Sequence, residues 1–165
     1  MEGQGMLPAR LIAVDHLAIA VDDLEGAVHF YTSNLGFVEV ERRRTEGKKT
    51  GMDSVVLKGG DLKIVLLKGT TPESQVTRYV EEYGPGVQHV AFRVQGLEEV
   101  FTDLKERGLS FDTGVIEAPG LKQAFSSRDP VSGMMFELIE RTGEEGFSDA
   151  NVKKLFESLE QKDSF

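Results

Sequence analysis

Apolar and polar residues alternate with a period of two along residues 12–21, 37–45, 52–58 and 62–68. They do so again along 88–95, 109–116, 122–127 and 134–141, which predicts eight strands in two sets of four. Between the first and second strand of each set the period changes to that of a helix. Leu24, Ala27, Val28 and Tyr31 share one helical face, and so do Leu97, Val100, Phe101 and Leu104. Gly36 and Gly108 follow as helix stops. The chain therefore reads as two βαβββ modules, about 11–70 and about 86–141, within one α+β domain spanning 1–165. A linking helix is predicted at about 71–84, ended by Gly84-Pro85-Gly86. After Thr142-Gly143, Ser148 can cap a terminal helix over about 148–161, whose Val152, Leu155, Phe156 and Leu159 form an apolar stripe. Amphipathicity alone describes a docked core helix. Its place just after the last strand also suits a lid.

The modules repeat a phrase as well as a pattern. Asp15-His16-Leu17-Ala18-Ile19-Ala20-Val21 returns as Gln88-His89-Val90-Ala91-Phe92-Arg93-Val94, so two of the three histidines occupy equivalent places. In a strand, His16, Ala18 and Ala20 share one face, and the small neighbours leave room for a ligand. A duplication brings the histidines to a shared axis, where they can hold a metal. The final strand supplies a third candidate ligand, Glu137, in the apolar run Met134-Met135-Phe136-Glu137-Leu138-Ile139, where an acid needs a partner. Its counterpart in the first module is Val65, so a symmetric fourth ligand is missing. Two imidazoles and a carboxylate suit Fe(II) and leave about three octahedral positions open for a chelating substrate and dioxygen. A single strand histidine is more often a hydrogen-bonded core residue than a ligand, but the repeat and Glu137 together favour the metal. His29 falls on the Glu25 side of its helix and reads as solvated.

Composition narrows the partner. The net charge is −9, with 28 acidic against 19 basic residues, which disfavours nucleic acid or an anionic membrane and favours a small molecule. Cysteine is absent, which excludes a disulfide framework and thiolate chemistry. The first residues lack the basic and apolar stretches of a signal peptide, and no run of about 18 apolar residues could span a bilayer. A cytoplasmic enzyme is the expectation.

The segment from Ser74-Gln75-Val76-Thr77-Arg78-Tyr79 to Gly86-Val87-Gln88-His89, and that from Gly146-Phe147-Ser148-Asp149-Ala150-Asn151-Val152 to Leu155-Phe156-Glu157-Ser158, carry a more specific signal. With the histidine repeat they resemble the vicinal oxygen chelate superfamily, and within it the metal-binding half of the 4-hydroxyphenylpyruvate dioxygenases, over roughly residues 11–162. The resemblance implies that the modules curl into a mixed-sheet cup around Fe(II) held by His16, His89 and Glu137. It further implies that Ser54, Gln75, Gln88 and Gln123 orient ligands or substrate, that Phe125 stacks on the substrate, and that Phe147 and Asn151 sit on a gating helix. The implied reaction takes a 2-oxo acid and dioxygen and couples oxidative decarboxylation to hydroxylation. No protein base beyond the metal ligands is then required.

Departures from that family matter equally. Lys68 stands for a rim asparagine, Met135 for a second clamping aromatic and Val152 for a second gate phenylalanine, which points to a substrate other than 4-hydroxyphenylpyruvate or to looser selection. The family's second, metal-free domain is not matched, and a homodimer could take its place. Three rivals stand beside this reading. An extradiol dioxygenase would be expected to bring a further histidine, an epimerase- or glyoxalase-like enzyme a further ligand and a carboxylate base. A metal-free binding protein has no use for the three ligands together.

Overall fold

A computed structural model describes residues 7–143 and 149–162. A short α1 (Leu7–Arg10) leads into β1 (Leu11–Ala20), α2 (Leu24–His29) continued by a π-helical turn at Phe30–Asn34, β2 (Val38–Glu46), β3 (Gly51–Gly59) and β4 (Leu62–Gly69). Then α3 (Gln75–Tyr83) precedes the second module: β5 (Gly86–Val94), α4 (Leu97–Glu106), β6 (Ile116–Ala118), β7 (Leu121–Phe125) and β8 (Phe136–Arg141). α5 (Asp149–Gln161) follows. The strands form one mixed sheet in the order β2-β3-β4-β1-β5-β8-β7-β6, so the module halves mirror each other about the β1–β5 seam.

The predicted parity holds. Ile19 of β1 and Val21 just beyond it pack with Leu24 and Val28 of α2 against Val55, Leu57, Ile64 and Leu66, forming the outer core of the first module. Ala18 and Ala20 face the opposite side with Leu67, Val76 and Tyr79. In the second module Leu97 and Val100 of α4 bury against Val94 and Leu138. The two repeat helices start differently, since the first amides of α4 donate to Glu140 of β8 whereas α2 is capped locally. The Asp23 carboxylate accepts from Gly26 N at the start of α2. Gly36 and Gly108 adopt φ of 78° and 92°, in the left-handed region open to glycine.

The strand expected over 109–116 is not formed as such. Phe111 makes an isolated bridge to Ser126, and the regular strand begins only at Ile116. Asp112 N and Thr113 N both donate to Phe125 O, while Thr113 Oγ1 accepts from Phe125 N. Side-chain bonding to the backbone here displaces the ladder. The last strand likewise starts at Phe136, two residues later than its alternation suggests. α1 lies outside the predicted elements, and the first repeat helix closes in a π-helical turn that its apolar spacing does not distinguish from an α-helix.

Candidate metal centre

Register across the seam sets the site. His16 pairs with Ala91 and Ala18 with His89, so each histidine faces an alanine of the other module across β1 and β5. The parallel pairs on either side repeat the relation: Ala18 lies opposite Val65 on β4, and Ala91 opposite Glu137 on β8. Val65 is thus the structural counterpart of Glu137, as the spacing of the modules predicts. His16 Nε2 and His89 Nε2 approach the same carboxylate oxygen, Glu137 Oε2, at 3.2 and 3.5 Å. The donor atoms of the three residues all lie within 4.8 Å of one another, and all three side chains are buried.

Both Nδ1 atoms are engaged elsewhere. His16 Nδ1 donates to Asp15 Oδ1 at 2.8 Å, and His89 Nδ1 donates to Gln88 Oε1. Each ring therefore presents Nε2 to the centre. Glu137 Oε1 is buried with no hydrogen-bond partner, in a residue only 1% exposed. A buried carboxylate oxygen without a donor costs free energy unless a cation meets it. The donor set and this orphaned oxygen fit a divalent metal.

Without a metal, protons take its place. Burial would lower the His16 pKa, but hydrogen bonds to Asp15 and Glu137 outweigh it and raise the value from 6.5 to about 9. Burial would raise that of Glu137, yet hydrogen bonds from the two histidines hold it below the usual carboxylate range. His89 is lowered, chiefly by burial. A histidine whose folded pKa lies above its unfolded value stabilises fully below the unfolded pKa and loses that contribution as pH rises through the folded one. The metal-free protein is therefore expected to lose up to about 3 kcal/mol from this group between pH 6.5 and about 9, seen as a falling Tm. A His16→Phe variant should lack this slope. A flat profile in the unmodified protein would contradict the proton bridge.

The three residues lie at one wall of a cavity of about 80 Å³ inside the cup. Ser54, Gln75, Gln88, Phe125 and Val152 also line it, as does Val65, and the ring of Phe125 meets that of His89 edge-on at 4.8 Å. Gln75 Oε1 is buried without a partner. Gln123 is fully buried on the Phe125 side of β7 but outside the cavity wall, and both its amide atoms lack partners. Met135 is buried beside Phe125 and Leu159, its sulfur 3.8 Å from Gln88 Nε2. Asn151 is buried on α5, also outside the wall. Phe147 and the Ser148 cap lie outside the described residues. Lys68 is a correction. It shares the parity of Ile64 and Leu66, is exposed on the outer face and pairs across the ladder with Asp53, while Leu67 turns inward.

α5 covers the mouth with Val152, Leu155, Phe156 and Leu159. Its far end is fastened to the rim: Glu160 accepts from Thr50 N at 2.7 Å, Thr50 Oγ1 at 2.6 Å and Lys48 N at 3.2 Å. A Cβ on Gly47 would lie 2.7 Å from that carboxylate, so glycine permits the close approach. Two charged cavity residues, Glu41 and Arg43, were not among the predicted site residues; they bond each other from β2. Strand pairing turns them inward, Arg43 opposite the inward-facing Ser54 and Glu41 opposite Val56, a relation the charged run of β2 does not itself reveal.

Against known proteins, residues 13–138 match the family model of the Glyoxalase/Bleomycin resistance protein/Dioxygenase superfamily. The chain belongs to this superfamily. Among similar superfamily relatives, the 4-hydroxyphenylpyruvate dioxygenase of Legionella pneumophila (strain Corby) is 27% identical, with 92% of this chain and 54% of that protein covered. The chain thus spans about half the length of the curated relatives it matches. In fold it is similar to a substituted 4-hydroxymandelate synthase from Streptomyces coelicolor, with a TM-score of 0.81, 24% identity and coverage of 93% of this chain and 54% of the other. The chain is also similar in fold to a methylmalonyl-CoA epimerase from Mycobacterium tuberculosis, with a TM-score of 0.70, 23% identity and coverage of 87% of this chain and 94% of the other. Among the described residues, no helix is long and apolar enough to cross a membrane.

Proposed function

We propose that the chain is an Fe(II)-dependent dioxygenase that couples oxidative decarboxylation of a 2-oxo acid to hydroxylation. The observation that carries this is the three-donor centre with valine in the symmetry-related fourth position. Fe(II), when bound by His16, His89 and Glu137, supplies the coordination sites and the electron transfer that bring a 2-oxo acid and dioxygen together. The protein's own part is geometric. Gln75 and Gln88 bring amide groups to the cavity, Phe125 walls it beside His89, and α5 excludes water.

Val56, Val65, Leu67, Val76 and Val152 give the cavity an aliphatic wall, and Met135 and Val152 stand where the family carries aromatic rings, which supports a substrate other than 4-hydroxyphenylpyruvate or a looser selection among 2-oxo acids. The extradiol alternative is less well supported, because the chain's third histidine, His29, is exposed on α2 and bonded to Ser33 Oγ at 3.2 Å.

Oxygen uptake by the iron-loaded chain across aryl and alkyl 2-oxo acids tests the reading. Uptake matched one-to-one by carbon dioxide release, with a 2-oxo acid other than 4-hydroxyphenylpyruvate showing the highest kcat/KM, is the expected result. Ring opening of a catechol without decarboxylation, or epimerisation without oxygen uptake, would replace it.

A further inference from the structure

The two histidines are related by the repeat, but their supports are not. Behind His89 stands a neutral amide, Gln88, whose Nε2 points toward Met135 Sδ and whose oxygen is thereby turned to the ring. Behind His16 stands a carboxylate with no exposed surface. Asp15 Oδ2 accepts from Arg93 Nη2 at 2.8 Å and from Arg141 Nε at 2.8 Å, and Oδ1 accepts from Arg141 Nη2 at 2.9 Å and from His16 Nδ1 at 2.8 Å. Arg93 stands on β5 with His89, and Arg141 on β8 with Glu137. The carboxylate behind the first ligand is thus located by the strands that carry the other two.

Adjacent strand residues normally point to opposite faces. A register shift between Val14 and His16 interrupts that rule here, so Asp15 reaches the ring of its own neighbour. We propose that Asp15, pinned by Arg93 and Arg141, is a positioning residue that makes the two imidazoles unequal donors. It holds His16 as the Nδ1–H tautomer and makes its Nε2 the stronger, more rigid ligand, while His89 rests on an uncharged partner. The inference rests on the metal reading above and goes beyond it by assigning inequivalent roles to symmetric ligands.

Co(II) titration of the full chain is the test, with Asp15→Asn and Gln88→Ala as variants and thermal melts as the check on folding. Asp15→Asn keeps the size of the side chain and removes its charge. It is expected to weaken Co(II) binding about 10- to 100-fold and to shift the visible Co(II) absorption, with Gln88→Ala losing less. A folded Asp15→Asn protein with unchanged affinity and spectrum, or a larger loss in Gln88→Ala, overturns the assignment. Should Asp15→Asn fail to fold, nitrogen-15 NMR of the unmodified Zn(II)-loaded protein decides. The His16 Nδ1 proton is expected further downfield than that of His89, and the reverse order, or coordination of His16 through Nδ1, overturns the proposal. An unmodified protein that takes up neither ion overturns the metal reading itself, an outcome distinct from tight binding that is indifferent to Asp15.

Discussion

A Glu137→Ala chain is expected to bind Fe(II) about a hundred- to a thousandfold more weakly than the unmodified protein while remaining folded. Glu137 is the one carboxylate among the three converging donors, and its Oε1 makes no hydrogen bond that the substitution would break. A protein site with several ligands binds a divalent metal with about 10 kcal/mol or more, and one donor's share of that corresponds to the stated loss. His16 loses a bond to Oε2 but keeps Asp15, so the metal-free fold retains one partner for the ring. Anaerobic competition against a chromophoric chelator measures the change. Affinity within threefold of the unmodified protein would show that Glu137 is not a ligand.

Val65→Glu should have the opposite profile, with metal retained and chemistry lost. The β1–β4 register places Val65 opposite Ala18, as β5–β8 places Glu137 opposite Ala91, so a glutamate there presents a carboxylate to the same centre from the other module. Metal affinity is expected to hold or rise. Oxygen uptake with a 2-oxo acid should fall at least about tenfold, because a fourth protein donor leaves only about two octahedral positions for a chelating acid and dioxygen. Undiminished turnover would remove Val65 from the site, and the open-coordination reading with it.

What could be read from the chain depended on periodicity. The alternation around His16 and His89 determines which face each side chain takes, and the repeat determines that the two strands pair about an axis. Those two relations suffice to bring Glu137 and Val65 to equivalent depths. At Lys68 strand parity outweighs sequence resemblance, because Ile64 and Leu66 on the same strand face the outer core and Lys68 shares their side. Arg43 and Glu41 were hidden in a charged run that looks like a solvated edge, and only the pairing of Arg43 with Ser54 turns them inward. The support of His16 was least legible. It depends on a bulge that violates alternation and on Arg141, remote in the chain, arriving at Asp15 only after the sheet has formed.

The clasp at Glu160 gives the molecule a built-in reporter. The amides of Lys48 and Thr50 donate to a helix side chain, so their protection from hydrogen exchange measures how long α5 stays seated. The neighbouring amide of Gly47 bonds within the turn, to Thr50 O, and supplies the reference. Two adjacent kinds of amide at one rim therefore separate a helix that lifts from a hairpin that frays, in the same protein and without an attached probe.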